Sequence, residues 1–256
     1  MNTIKLLRNL AKRFPKSIRS PGDYVGLMTG KLPEEVHNIL LCLDFDETVF
    51  ALAKENKPDL IITHHPFIYG TKAKVFKWDK LKEQLCNEVD AFGIPIYSMH
   101  TNFDSGKDGM NDALVELLGL ENVYCPAEKD FCMRIGELKE AMPVKVFAEF
   151  AKAKLNVDYA LLINEGNSSI KKVGIIGGGG SRDWFIARDE GCDIYISGDA
   201  PHHVRRTISN EHFNYLDVPH EVERVFMPQM KKILLEIDPD LHVLMVDHEE
   251  MPEVIL

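Results

Sequence analysis

The feature that most constrains this chain is the rhythm of its apolar residues: short apolar runs alternate with segments whose apolar side chains recur at helical spacing. Ile39 to Leu43 ends at Asp44, and Leu60 to Thr63 ends at His64. Between them, Val49, Leu52 and Ala53 fall on one helical face. Residues 80–92 carry Leu81, Leu85 and Val89 on one face and meet Gly93, a helix stop. Residues 94–100 (IPIYSMH) read as a buried strand delivering His100, and 112–120 as a helix ended by Gly119. The order β-α-β-α-β-α makes a mostly parallel sheet with helices on its faces.

The second half repeats the rhythm. Residues 143–156 and 202–212 read as helices, and YALLI, 171–177, 193–197 and 214–217 as strands. Ser181 opens a helix over 181–192 with Asp183 in its first turn. A last helix from about Glu221 to Glu236 leads to a closing strand, 241–246. Residues 121–142 break the pattern and are rich in Pro and Cys, which sets a domain boundary there. The expected halves are 1–125 and 126–256. DLIITHHP (59–66) and DIYISGDAPHH (193–203) echo each other, as two halves of similar fold would. The fold class expected is α/β, in two similar three-layer halves with mostly parallel sheets.

Composition narrows the function classes. Against 30 Lys and Arg stand 40 Asp and Glu, a formal net charge of −10, which argues against a general nucleic-acid binder. A local basic patch stays open, at Arg205, Arg206 and the basic N-terminal segment. No apolar run approaches the ~20 residues that span a bilayer. The first 20 residues lack the continuous apolar segment of a secretory signal. Leu6, Leu10 and Phe14 make a short amphipathic helix that packs on the body, in preference to one lying on a membrane surface. The five cysteines, at 42, 86, 125, 132 and 192, form no CxxC pair and read as reduced thiols of a cytoplasmic protein.

The chemistry points to histidine. Of ten histidines, His64, His65, His100, His202, His203 and His220 follow strands; His37, His212, His242 and His248 read as structural. In a parallel α/β sheet the carboxyl ends of the strands share one rim, where ligand sites form. Adjacent residues of a strand face opposite ways, so His64 and His65 cannot both serve one centre while extended; where the chain turns, each can face a different ion, or one can bind while the other supports it. Pro66 biases His65 toward an extended conformation there. Asp104, in the loop after the next strand, has two oxygens with which to bridge two cations about 3.5–4 Å apart. His220 and Glu223 can face one side of a helix start. The run VGIIGGGGSRDWF lacks the Lys-Ser/Thr ending of a P-loop and the full GxGxxG spacing. It reads as a tight turn that lets the next helix pack close and keeps the rim open.

With these residues in place, the sequence resembles the Nif-three-like dinuclear metal centre family, whose members also carry the name type 2 GTP cyclohydrolase I homologues. The resemblance runs through VGLMTG (25–30), LCLDFDETV (41–49), DLIITHHPFIYG (59–70), IYSMHTNFDSGKDGMNDAL (96–114), RIGEL (134–138), VGIIGGGG (173–180), DIYISGDAPHH (193–203) and LDVPHEVE (216–223). It implies two packed halves with a metal cleft between them, two divalent ions per chain, and a ring-shaped homohexamer. It implies His64, His65, Asp104, His220 and Glu223 as metal ligands and His100 as a histidine near the site. The family usually places Gly before the late histidine and the glutamate four residues after it. Here Pro219 precedes His220 and Glu223 stands three after, with Glu221 as a competitor.

The function expected is a metal-dependent hydrolase acting on a nucleotide or phosphoester-like small molecule, with His100 passing protons or holding the water. Purine-ring opening, a GTP cyclohydrolase-like reaction, rests on the resemblance alone. The mixed His/carboxylate set suits Zn, Fe, Mn, Co or Ni without choosing among them. The competing class is a non-enzymatic metal-binding regulatory or assembly factor forming a ring. A third reading makes the metals structural.

Overall fold

In the computed structural model, which describes residues 1–126, 132–249 and 251–255, the chain opens with α1 (Thr3–Arg13). β1 (Gly26–Thr29), β2 (Asn38–Cys42), α2 (Glu47–Asn56), β3 (Leu60–Thr63), α3 (Lys72–Trp78), α4 (Lys80–Phe92), β4 (Ile96–Ser98) and α5 (Thr101–Ser105) follow. Next come α6 (Met110–Leu118), β5 (Glu121–Tyr124), β6 (Arg134–Pro143), α7 (Val144–Lys154), β7 (Leu161–Ile163), β8 (Ser169–Ile175), α8 (Trp184–Asp189), β9 (Ile194–Ser197), α9 (His202–Asn210) and β10 (Asn214–Asp217). α10 (Phe226–Ile237) and β11 (His242–Val246) close the chain.

Contacts gather these elements into two compact units. One is Met1–Lys107 with Phe226–Glu249; the other is Asp108–Val225 with Glu250–Leu256. The sequence reading set one boundary at 125/126. Here the chain leaves the first unit at 107/108, and α10 and β11 return to it.

The first unit holds a five-stranded sheet in the order β1-β4-β3-β2-β11. β11, β2, β3 and β4 run parallel, and β1 alone is antiparallel, on the edge beside β4. Every residue of β3 is buried, so both faces of the sheet are covered, as its unbroken apolar sequence requires. The helices obey their end signals: Asp46 accepts a hydrogen bond from the Val49 amide to cap α2, and Gly93 ends α4 at φ 85°. α1 buries Leu6 and Leu10, and Phe14, just past its end, lies 4.8 Å from the Phe103 ring, centroid to centroid. The apolar face that a membrane-surface helix would need is spent in this core. Among the described residues no helix is long and apolar enough to cross a membrane.

The second unit holds a six-stranded sheet, β5-β6-β8-β9-β10-β7. Only β8, β9 and β10 run parallel; β5, β6 and β7 are antiparallel to their neighbours. The expectation of mostly parallel sheets therefore holds in the first unit, while the second sheet is mixed. The cause lies in the stretch read as a break. Residues 121–124 and 134–143 are strands, and β6 lies antiparallel along β8 with a register shift between Glu137 and Met142. That irregularity and the charged Lys139 and Glu140 hide the alternation on which strand recognition depends. Residues 127–131 of the same stretch lie outside the described residues. Ser181 does not open a full helix either: Ser181–Asp183 is a 3-10 turn, and α8 begins at Trp184.

Candidate metal centre

In the first unit, β3 carries its ladder past its own end. The His64 amide donates to the Cys42 carbonyl at 3.2 Å and the His65 amide to the Leu43 carbonyl at 3.0 Å. The Thr63 hydroxyl then donates to the His65 carbonyl at 2.7 Å, which bends the chain just before Pro66. The bend brings two side chains of successive residues to one place, with ring centroids 5.0 Å apart. β4 delivers the third histidine in the same way. His100 sits at the start of α5, and Asp104 lies one turn further along that helix. A nitrogen from each of His64, His65 and His100 fits within 4.8 Å of the others. The Nε2 of His64 stands 3.5 Å from Asp104 Oδ1, with both side chains buried.

Each imidazole here is oriented by an oxygen acceptor on Nδ1. His64 is held by the Met99 carbonyl at 2.9 Å, His65 by Asp44 at 2.7 Å and His100 by Asp23 at 2.8 Å. A carbonyl or a carboxylate can only accept, so Nδ1 carries the proton and the ring presents Nε2 on its opposite edge. Asp23 is fixed in turn. It is buried, and it accepts from the Thr101 amide at 3.2 Å, from the Thr101 hydroxyl, and from the Tyr24 amide at 2.7 Å. Burial pushes its carboxyl up, but the bonds from His100 and Thr101 outweigh burial and hold it below the usual carboxylate range.

In the second unit, the residues after β10 form a 3-10 turn, His220–Val225, that leads directly into α10. A 3-10 helix has three residues per turn, so positions i and i+3 eclipse. That explains the spacing in this chain: Glu223 Oε2 lies 3.1 Å from His220 Nε2, and Glu223 is buried, whereas Glu221 is half-buried. The sequence reading began an α-helix at about Glu221; the α-helix starts five residues later, at Phe226. Asp199 takes the Nδ1 of His220 at 2.6 Å, the same arrangement as in the first unit. Burial disfavours the charged imidazole. Glu223 and then Asp199 outweigh that through hydrogen bonds and charge, so that His220 is held up at about 9.

Gly178, in the four-glycine run, makes this seat possible. Its φ is +63°, and a Cβ there would fall 2.1 Å from Glu223 Oε1 and 3.1 Å from His220 Nε2. Its carbonyl accepts from the Ser197 hydroxyl at 3.0 Å and the Gly198 amide at 2.7 Å. The run is thus a tight turn, as read from sequence, and it also shapes the floor under the late His–Glu pair.

The structure brings His64, His65, His100 and Asp104 together in one unit and His220 and Glu223 together in the other. His202 and His203, also read as rim residues, are exposed in the first turn of α9. His248, read as structural, ties the tail to the start of α2 through Asp46 at 3.0 Å. Sequence reasoning missed Asp23, Asp44, Asp199 and Gly178. Asp44 at a strand end and Asp199 in the SGD turn carried a signal: carboxylates beside rim histidines. Asp23, in the loop that precedes β1 and not at the carboxyl end of a strand, carried none.

Comparison with known proteins follows the same lines. The family model described as Duf34/NIF3 (NGG1p interacting factor 3) matches residues 1–252. A Clostridium perfringens protein named GTP cyclohydrolase 1 type 2 homolog is 30% identical over 256 residues, covering 97% of this chain and 96% of its own. A Lactococcus lactis protein of the same name is 31% identical and covers 83% of each chain. The crystal structure of a Bacillus cereus protein related to NIF3 shares the fold, with a TM-score of 0.87 at 21% identity over 100% of this chain and 99% of its own.

Proposed function

The chain belongs to the Duf34/NIF3 family, and from that premise we propose that it is a dinuclear divalent-metal protein that hydrolyses a nucleotide or phosphoester-like small molecule. His64, His65, Asp104, His220 and Glu223 are the ligands of this reading, and His100 is its proton carrier. One observation carries it most. All four histidines are oriented by an oxygen acceptor at Nδ1, the arrangement that metal-binding histidines use to aim Nε2. The donor set, imidazole nitrogens with carboxylates, fits a first-row divalent ion. When bound, such ions supply Lewis-acid charge at the bond to be broken.

The remaining work falls to the chain. His100 holds a proton on Nδ1 against Asp23, so its Nε2 is the atom that accepts or returns a proton at the substrate. Asp23 keeps that ring from turning. Asp44 and Asp199 do the same for His65 and His220. The family names support the nucleotide class, the resemblance supports a ring-shaped homohexamer, and the scattered cysteine thiols support a cytoplasmic location.

Activity should appear on a panel of nucleotides and phosphomonoesters or diesters, vanish on chelation, and return with metal, while far-UV circular dichroism stays constant. Asp104→Asn should abolish it in a folded protein. A second reading has support in the family description, which speaks of an interacting factor. It makes the protein a metal-binding regulatory or assembly factor, and metal-replete protein with no turnover on the whole panel would favour it. Unfolding on chelation would instead make the metals structural.

His220 adds a pH signature. In metal-free protein its bonds to Glu223 and Asp199 stabilise the fold fully below the ordinary histidine range, and that contribution is lost as pH rises through about 9. A cation at Nε2 must displace the proton. Metal affinity at this pair should therefore climb roughly ten-fold per pH unit between about pH 7 and pH 9 and then level off. Calorimetric metal titrations across that range would check it; a flat profile would remove His220 from the ligand set.

A further inference from the structure

The basic N-terminal segment is not used by the reading above, yet two of its residues line a cleft in the first unit. The cleft holds about 400 Å³ and is lined by Lys16, Arg19, Asp23, Tyr24, Leu27 and Lys72 among others. Three cationic residues line it in a chain of net charge −10, so the local charge opposes the global one. The guanidinium of Arg19 is fixed by the carbonyls of Asp23, at 3.1 Å from Nε, and Lys16, at 2.8 Å from Nη1, which leaves its other amino group for an anion. Lys72 is held by Asp90 at 3.0 Å. Asp23, the acid of the lining, is turned inward to His100 and Thr101.

Beside the cations stand two exposed aromatic rings. Tyr24 is 37% and Tyr69 65% exposed, and their centroids lie 5.8 Å apart. The Tyr69 ring is in turn 6.2 Å from that of His100. Tyr24, which lines the cleft, is therefore linked through the Tyr69 ring to that of His100. Ammonium and guanidinium groups bind phosphate through charge-assisted hydrogen bonds, and flat rings stack on tyrosine.

From this arrangement we infer that the cleft is the recognition site of the substrate. It takes the phosphate of a phosphorylated, ring-bearing molecule, a nucleotide, between Lys16, Arg19 and Lys72, and lays the ring against Tyr24 and Tyr69. The inference rests on the proposed hydrolase for the word substrate, but the binding step does not need the metals.

The test is calorimetric binding of adenosine and guanosine monophosphates, their nucleosides and inorganic phosphate to the full-length protein as purified. The monophosphate should bind at least about ten-fold more tightly than its nucleoside or phosphate alone. Lys16→Ala with Lys72→Ala should erase the advantage of the phosphate, and Tyr69→Ala that of the ring, with metal content unchanged in both. Lys16→Glu, at an exposed residue, is a second variant that keeps the core intact and should act in the same direction. Unchanged monophosphate binding in these variants would overturn the inference. So would binding that survives them and disappears in Asp104→Asn, since the anion would then sit on the metal ligands. Nucleotide binding through the cleft in a protein that carries no metal would support this inference while sinking the hydrolase.

Discussion

Protein purified without added metal should carry close to two divalent ions per chain, and His65→Ala should carry about one. The expected loss is large because His65 is not a loosely placed surface residue. Its carbonyl is held by Thr63, its amide by Leu43, and its ring by Asp44 at 2.7 Å. Removing the imidazole leaves Asp44 with nothing to orient and opens a half-buried space that water fills better than a metal does. Asp104→Asn should cost at least as much, since it removes a buried negative charge 3.5 Å from His64 Nε2. Elemental analysis and native mass spectrometry of the variants read the result directly. Equal stoichiometry in wild type and His65→Ala would sink the proposed ligand set.

The second large effect should come from a residue with no side chain. Gly178→Ala places a methyl group 2.1 Å from Glu223 Oε1, in a backbone conformation that costs an ordinary residue about 1–2 kcal/mol. The carboxylate cannot stay where it is, and His220, 3.1 Å from the same point, must shift with it. We expect a folded protein that has lost about one metal and whose His220 no longer titrates near 9. Gly179→Ala is the control. Its nearest neighbour would be Asp199 Oδ2 at 3.5 Å, an ordinary contact, so it should behave as wild type. Metal content, nuclear magnetic resonance of the histidine ring and thermal melts separate the two. If both substitutions prove silent, the seat described for Glu223 is wrong.

The two cases show what can be read from a sequence like this one. β2, β3 and β9 were legible because apolar runs leave little else for a chain to do. His64, His65, His100 and Asp104 were legible because the ends of such strands share a rim. β6 was not, because its Lys139 and Glu140 and its register shift blur the period on which recognition depends. Periodicity is also local: it identified β11 as a strand but could not say that its partner would be β2. The orienting carboxylates divide in the same way. Asp44 and Asp199 border strands, whereas Asp23 reaches His100 from 77 residues away, a distance no spacing rule spans. Gly178 was visible as a turn, but its closeness to Glu223 depends on tertiary packing alone.

The return of β11 has a consequence for how the protein is made. β2 presents one open edge until β11 arrives to pair with it from His242 to Val246. A ribosome takes on the order of ten seconds or more to cover the intervening chain. Through that interval the strand that supports the backbone of both His64 and His65 has a bare row of amides and carbonyls on its far side. The nascent first unit therefore carries an exposed strand edge of the kind that invites mispairing. A chain cut before His242 would keep all the proposed ligands in sequence and still lack the strand that closes the sheet carrying the first three.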